Sequence, residues 1–113
     1  MTVPGWSVLL SDPTREDLFR TARYIAADLR NPPAASRLLD AIEAAVRSLS
    51  AHPSRHPLLG FEPWRSLGYR AFLVERHLLI YRTDTATHTV QIARIFYATQ
   101  NWKDVLRGFG GEK

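Results

Sequence analysis

Asn31-Pro32-Pro33 divides the first half of the chain into two pieces that can each form a helix but cannot form one together. A proline disfavours helical geometry at the residue before it and lacks the amide that a helix interior needs, so the chain must stop and restart there. The flanking segments both carry apolar residues at helical spacing. Leu18, Ala22, Ile25 and Leu29 recur on one face before the break, with Arg15, Arg20, Arg23 and Asp28 mostly outside the stripe. Leu38, Ile42, Ala45 and Leu49 do so after it, backed by Leu39 and Val46. The pattern predicts an antiparallel helical hairpin that restarts at Asn31 or Pro32, and whose two stripes need a common surface.

That surface has to come from the rest of the chain, where the texture is β. Upstream, the run Trp6-Ser7-Val8-Leu9-Leu10 alternates loosely and stops at Ser11-Asp12-Pro13, where Asp12 is the expected N-cap and Pro13 the first helical position. Downstream, the segment His52-Pro53-Ser54-Arg55-His56-Pro57 ends the second helix, and an irregular connection leads to Trp64. Three β-type runs follow, Leu67 to Val74, His77 to Thr83 and Thr89 to Tyr97, separated by the short polar turns Glu75-Arg76 and Asp84-Thr85-Ala86-Thr87. They predict an antiparallel meander, then a short helix from Trp102 to Arg107 and a disordered tail from Gly108. The expected fold is α+β. The hairpin packs on one face of a single antiparallel sheet that also takes in Trp6 to Leu10, and residues 1–113 form one domain.

Composition narrows the chemistry. At 113 residues and 45% hydrophobic the chain reads as an ordinary soluble globule, and no apolar run approaches the length of a membrane span. The N-terminus lacks a basic segment followed by an apolar stretch and a small-residue cleavage site, which makes the cytoplasm the expected compartment and a membrane partner unexpected. Without cysteine there is no disulfide, no Cys-ligated zinc and no thiol nucleophile. The net charge of +4 leans toward acidic partners. Lys103 and Lys113 are the only lysines, so the other basic side chains are arginines, suited to bidentate contact with carboxylate or phosphate; a GC-rich genome would favour them too.

Most catalytic patterns are missing. His52 and His56 have the four-residue spacing of a helical metal pair, but Pro53 and Pro57 break any helix there, so exposed loop histidines are expected and no metal or other cofactor. Neither a Gly-x-Ser-x-Gly elbow nor a glycine-rich phosphate loop is present. The arginines of the meander are more informative. Period-two alternation puts Arg94 on one face with Ile92 and Phe96, where a cation has to sit at a sheet border, pair with an acid such as Glu75 or Asp84, or face an anionic partner. Arg70 and Arg82 admit the same readings, with an ordering ion pair the stronger for Arg82. Of Trp6, Trp64 and Trp102, the last stands at the start of the final helix, as core packing or as a contact anchor.

The helical hairpin, then "LGYRAFLVERHLLIYRTD", then "VQIARIFYATQNWKDVL" resembles the RelE/ParE superfamily of bacterial type II toxins, often described as plasmid stabilisation proteins. The likeness runs from Val8 to Leu106 and rests on Tyr69-Arg70, on the strand "LLIYR" with Tyr81, and on Arg94-Ile95 followed by a short helix. It implies a toxin held inactive by a cognate antitoxin. RelE-like members cut messenger RNA on the ribosome without a metal, whereas ParE-like members are thought to act by binding DNA gyrase. The nuclease pattern is incomplete here. Leu78 and Leu79 stand where an arginine usually precedes the middle-strand Tyr, Ala98, Thr99, Gln100 and Asn101 fill the exit of the last strand, and Leu106 falls about where a catalytic Tyr can lie.

His77 and Tyr97 remain as acid–base candidates, on different strands and with Tyr97 unaccompanied; Arg70 and Arg94 complete the weak catalytic set. The resemblance therefore points to the ParE-like branch and to action by binding. Arg70, Tyr81, Arg94, Gln100, Asn101 and Trp102 are the residues expected to meet a partner. A ribosome-dependent endonuclease acting on messenger RNA is the alternative, and an inactive member that binds only its antitoxin is the third reading.

Overall fold

The computed structural model describes residues 5–97 and 101–111, with side chains up to Leu106 in the last helix. Strand β1 (Ser7–Leu10) leads into α1 (Asp12–Arg23), which runs on as a π-helical turn (Tyr24–Asp28) before α2 (Pro32–Ala51). Strands β2 (Arg70–Val74), β3 (His77–Asp84) and β4 (Thr89–Tyr97) form the meander, and α3 (Trp102–Gly111) follows. The sheet order is β1-β4-β3-β2.

The helix boundaries follow from side chains that satisfy free amides. Ser11, not Asp12, caps α1: its Oγ accepts from the Thr14 amide at 3.1 Å, and Asp12 sits in the first turn, where a negative charge suits the helix dipole. The restart of the hairpin is where the prolines require it, with the Asn31 Oδ1 accepting from the Ala34 amide at 3.1 Å. The apolar stripe of the first helix does not survive to its end. Ala22 is buried and Leu18 and Ile25 pack against the core, but Leu29 is 55% exposed. The cause is the π-helical turn: five residues are spent where an α-helix spends fewer, so everything after Tyr24 rotates away from the phase set by Leu18 and Ala22.

The sheet is mixed rather than wholly antiparallel. The meander pairs antiparallel as expected, but β1 lies parallel to β4, with Ser7 opposite Thr89 and Leu10 opposite Ile92. A two-helix crossover separates β1 from the meander, and such a connection allows parallel pairing where a hairpin turn does not. Strand β2 also starts later than the expected Leu67. Phe61 to Gly68 turns back on itself, with Arg65 and Leu67 amides donating to the Phe61 and Pro63 carbonyls at 3.0 Å each. At the other end α3 continues to Gly111, through part of the expected tail.

A register shift in β4 decides which residues share a face. Ile80 opposes Arg94 and Tyr81 opposes Ile92, so Ala93 has no cross-strand partner and forms a bulge. Val90, Ile92 and then Ile95 fall in the core under the helices with Leu38, Ile42, Leu49, Leu79 and Tyr81. Phe96 falls in a second core on the opposite face, with Leu59, Trp64, Ile80 and Leu106. Strict alternation would have kept Ile92 and Phe96 together; the bulge parts them.

Candidate functional site

Beyond Leu10, β1 no longer flanks β4, and α1 takes its place. The Ser11 hydroxyl donates to the Ala93 carbonyl at 2.8 Å, and the Thr14 hydroxyl to the Ile92 carbonyl at 3.2 Å. One turn further, Asp17 meets Arg94: the guanidinium Nη2 lies 3.4 Å from Asp17 Oδ2 and its carbon 5.0 Å from the centroid of the Phe96 ring. Asp17 also takes Arg20 at 2.9 Å. The acid that pairs with Arg94 therefore comes from α1 and is neither Glu75 nor Asp84; the Asp84 carboxylate accepts instead from the amides of Ala86 and Thr87, closing the β3–β4 turn.

His77 and Tyr97, expected to stand apart, are direct cross-strand partners, with ring centroids 5.3 Å apart and planes at 71°. His77 is 9% exposed, and its Nδ1 has no hydrogen-bond partner among the described residues. Burial holds its imidazole below the usual histidine range, with Glu75 pulling weakly the other way. Tyr97 is 42% exposed.

These residues form one end of an open cleft of about 1220 Å³ between the helical hairpin and the ends of β3 and β4. Its helical wall carries Arg20, Tyr24, Leu29 and Arg37, and the β2–β3 turn adds Glu75 and Arg76. Of these, Leu29 alone belongs to the apolar stripes, where its spacing predicts a core position. One signal was available in the sequence: Tyr24 is a large aromatic residue off the apolar stripe of an amphipathic helix.

The other expected partner residues lie elsewhere. Arg70 donates through Nη1 to the carbonyls of His56 at 2.6 Å and Ser54 at 3.3 Å. Its register partner Tyr81 is fully buried and donates its hydroxyl to the Pro53 carbonyl at 2.6 Å, so it presents no surface to a partner; burial raises its phenol above the usual range. Both residues staple the connection after α2 to the sheet. His56, expected in solvent, stacks on Phe72 at 3.7 Å; burial and the charges of Arg55 and Arg70 lower its pKa. His52 is exposed.

On the sheet face away from the helices, Asn101 Nδ2 donates to Asp104 at 2.8 Å at the start of α3. Trp102 leans on Phe61 and Phe96 at 6.2 and 6.4 Å, which makes it mainly a packing residue. Leu106 is buried beneath it, Arg82 lies over the Tyr69 ring at 5.6 Å, and Gln100 falls outside the described residues. Of the five that are described, Arg70, Tyr81, Asn101 and Trp102 lie away from the cleft, and Arg94 lines it.

Comparison with known proteins places this geometry. Residues 8–102 match the family model described as the ParE toxin of the type II toxin–antitoxin system, parDE. The fold resembles that in a chromosomal ParDE toxin–antitoxin system from P. aeruginosa, with 19% identity, a TM-score of 0.65 and coverage of 84% of this chain and 98% of that one. It also resembles that in the RelBE2 toxin–antitoxin complex from Mycobacterium tuberculosis, at 22% identity and a TM-score of 0.61, over 88% of this chain and 98% of that one. Among curated protein sequences none matches.

Proposed function

The chain belongs to the ParE toxin family of type II toxin–antitoxin systems, and on that premise we propose that it acts by protein–protein binding, with DNA gyrase as the target the family resemblance implies. A cognate antitoxin is the partner that holds it inactive. The two similar folds come from toxin–antitoxin complexes, which supports that partner.

One observation carries the preference for binding over chemistry. Cleaving RNA by attack of a 2′-hydroxyl needs cations at the phosphate and accessible groups that take and give a proton. Here the guanidinium of Arg94 is held by Asp17 and lies over Phe96. Leu79 and Leu106 are buried at positions where the nuclease pattern puts polar groups, and His77 is buried beside Tyr97. Open to solvent in the cleft are Tyr24, Leu29 and Tyr97 with Arg20, Arg37 and Arg76, beside Asn31 and Glu75, and aromatic and arginine side chains are those enriched at protein contacts.

A second reading, a metal-independent endonuclease that needs the ribosome and acts on messenger RNA, is favoured by one feature: His77 and Tyr97 do meet, at the end of the cleft that also holds Arg94 and Arg76. Induction in cells, with messenger RNA ends mapped and plasmid supercoiling followed in parallel, separates the two. The binding reading expects loss of gyrase function without codon-position-specific cuts. Cuts that vanish in Arg70→Ala or Arg94→Ala would transfer the assignment to the nuclease. Growth unaffected by induction would leave a member that only binds its antitoxin.

A further inference from the structure

Thr14 and Ala22 mark the buried side of α1, and Leu18 packs against the core between them. Turned away from that side are Asp12, Glu16, Phe19 and Arg23, all exposed and, at about 100° per residue, within a stripe roughly 60° wide. None of the four lines the cleft. Phe19 is 70% exposed, the most exposed large apolar side chain among the described residues. Single exposed apolar residues are common on protein surfaces and signify little alone. Here the charges on either side of the ring are ordered.

The acids Asp12 and Glu16 precede Phe19 and the base Arg23 follows it. Among the described residues none of the three is in an ion pair. Arg20, four residues after Glu16 and the usual partner for it within one helix, is held by Asp17 at 2.9 Å instead. Glu16 and Arg23 are about 10 Å apart along the axis, beyond the spacing at which side chains of one helix are neighbours. Arg23 lies over the Phe19 ring, its guanidinium carbon 5.6 Å from the centroid, which holds ring and cation together as one unit. The helix dipole accounts for an acid at Asp12 and a base at Arg23, but not for a phenylalanine between them.

This order is complementary to its own reverse. Glu16 lies as far before the midpoint of residues 19 and 20 as Arg23 lies after it. Two copies of α1 laid antiparallel about a two-fold axis at that midpoint bring Glu16 of each to Arg23 of the other, with the Phe19 rings meeting near the axis. One patch then serves both sides, as a two-fold contact requires. We infer that the outer face of α1 is a contact between two copies of this chain, which pair antiparallel through Phe19 with reciprocal Glu16–Arg23 ion pairs. The net charge of +4 repels the copies at long range. Two helices of 12 residues also give a contact at the small end of protein interfaces, below about 1,200 Å². The dimer is therefore weak and forms at high protein concentration.

Sedimentation equilibrium of the full chain, at concentrations raised to its solubility limit, reads the dimer. Phe19→Ser is expected to weaken it by about 10-fold or more, as loss of a central aromatic contact does. Glu16→Arg and Arg23→Glu each set like charges against each other twice and are expected to do the same, although one raises the net charge and the other lowers it. Glu16→Arg combined with Arg23→Glu exchanges the two ends, keeps the net charge at +4, and is expected to return the dimer to within about 3-fold of the wild type. Arg47→Glu, the same charge change as Arg23→Glu but on an exposed part of α2, is expected to stay within about 3-fold. All the substituted positions are exposed, and thermal unfolding of each variant checks that the fold is kept.

A wild type that stays monomeric, a dimer indifferent to Phe19→Ser, or single charge variants that the double exchange does not rescue would each overturn the inference. So would a chain that is monomeric alone and whose Phe19→Ser variant loses about 10-fold in calorimetric affinity for the product of the adjacent reading frame. The outer face of α1 would then belong to that protein and not to a second copy.

Discussion

The Ser11 hydroxyl donates to the carbonyl of Ala93, 2.8 Å away, across 82 residues of sequence. Ala93 is the bulge residue of β4, so its strand pairing is interrupted, and Ser11 is the N-cap of α1. One side chain thus satisfies a helix amide and engages a bulge carbonyl, fixing where the first helix leaves the sheet. Everything that lines the cleft from α1 is positioned by this junction. Thr14 reinforces it from within, fully buried with its hydroxyl on the Ile92 carbonyl.

Removing the junction should therefore cost more than an ordinary cap. Ser11→Ala is expected to destabilise the protein by about 1–2 kcal/mol, the upper range for a lost N-cap. Thr14→Val keeps the volume and removes a buried hydrogen bond, at about 1–1.5 kcal/mol. Because the two hydroxyls are within 2.8 Å of each other, the double variant should fall short of additivity in urea denaturation. Strict additivity would show that the two act as separate caps.

The π-helical turn makes a prediction that the periodic pattern alone would get wrong. Leu29 and Leu49 both belong to apolar stripes, but Leu49 is wholly buried and Leu29 is not. Leu49→Ala is expected to cost about 2–5 kcal/mol, from lost transfer energy and the cavity left behind. Leu29→Ala should cost less than about 0.5 kcal/mol, as an exposed substitution. Equal costs for the two would put Leu29 back in the core and remove the apolar wall of the cleft.

What the sequence discloses and what it withholds differ for a physical reason. The break at Asn31-Pro32-Pro33, the stripe from Leu38 to Leu49 and the meander are legible because proline chemistry and period act over a few residues. The departures come from insertions of phase. A π-helical turn at Tyr24 and a bulge at Ala93 each displace the residues after them, and neither leaves a local signature in residue type. That is why Leu29 looked like core, why Arg94 looked like a companion of Ile92, and why its acid was sought in β-turns and not on α1. The His77–Tyr97 contact was hidden in the same way, since it depends on strand register.

His77 sets a pH response. Its folded-state pKa lies below the ordinary value of 6.5, so the unfolded chain binds a proton more readily than the native one. This contribution to stability is complete above pH of about 6.5 and is lost as the pH falls from there toward the folded-state pKa. His56 shifts in the same direction and adds to it. Urea midpoints measured from pH 7.5 down to about 5.5, a window chosen to precede carboxylate titration, should fall in the wild type and fall less in His77→Phe. An unchanged slope in His77→Phe would mean that His77 does not carry the effect.

Arg94 supplies the last prediction, because two of its contacts can be separated. Its ion pair with Asp17 is 3.4 Å long, with side chains 20% and 23% exposed, so solvent screening limits the pair to about 1 kcal/mol. The guanidinium also lies 5.0 Å from the Phe96 ring centroid, a contact worth about 0.5–1 kcal/mol at such a partly exposed site. Arg94→Ala removes both and should lower stability by about 1–2 kcal/mol; Asp17→Asn removes the ion pair alone and also frees Arg20. A double-mutant cycle between positions 17 and 94 should return a coupling of about 0.5–1 kcal/mol. That coupling should shrink in high salt, while the remaining cost of Arg94→Ala persists. A coupling near zero would mean that Asp17 orders Arg20 only. The stacking of Arg94 on Phe96 would then outweigh its ion pair in holding it at the edge of the cleft.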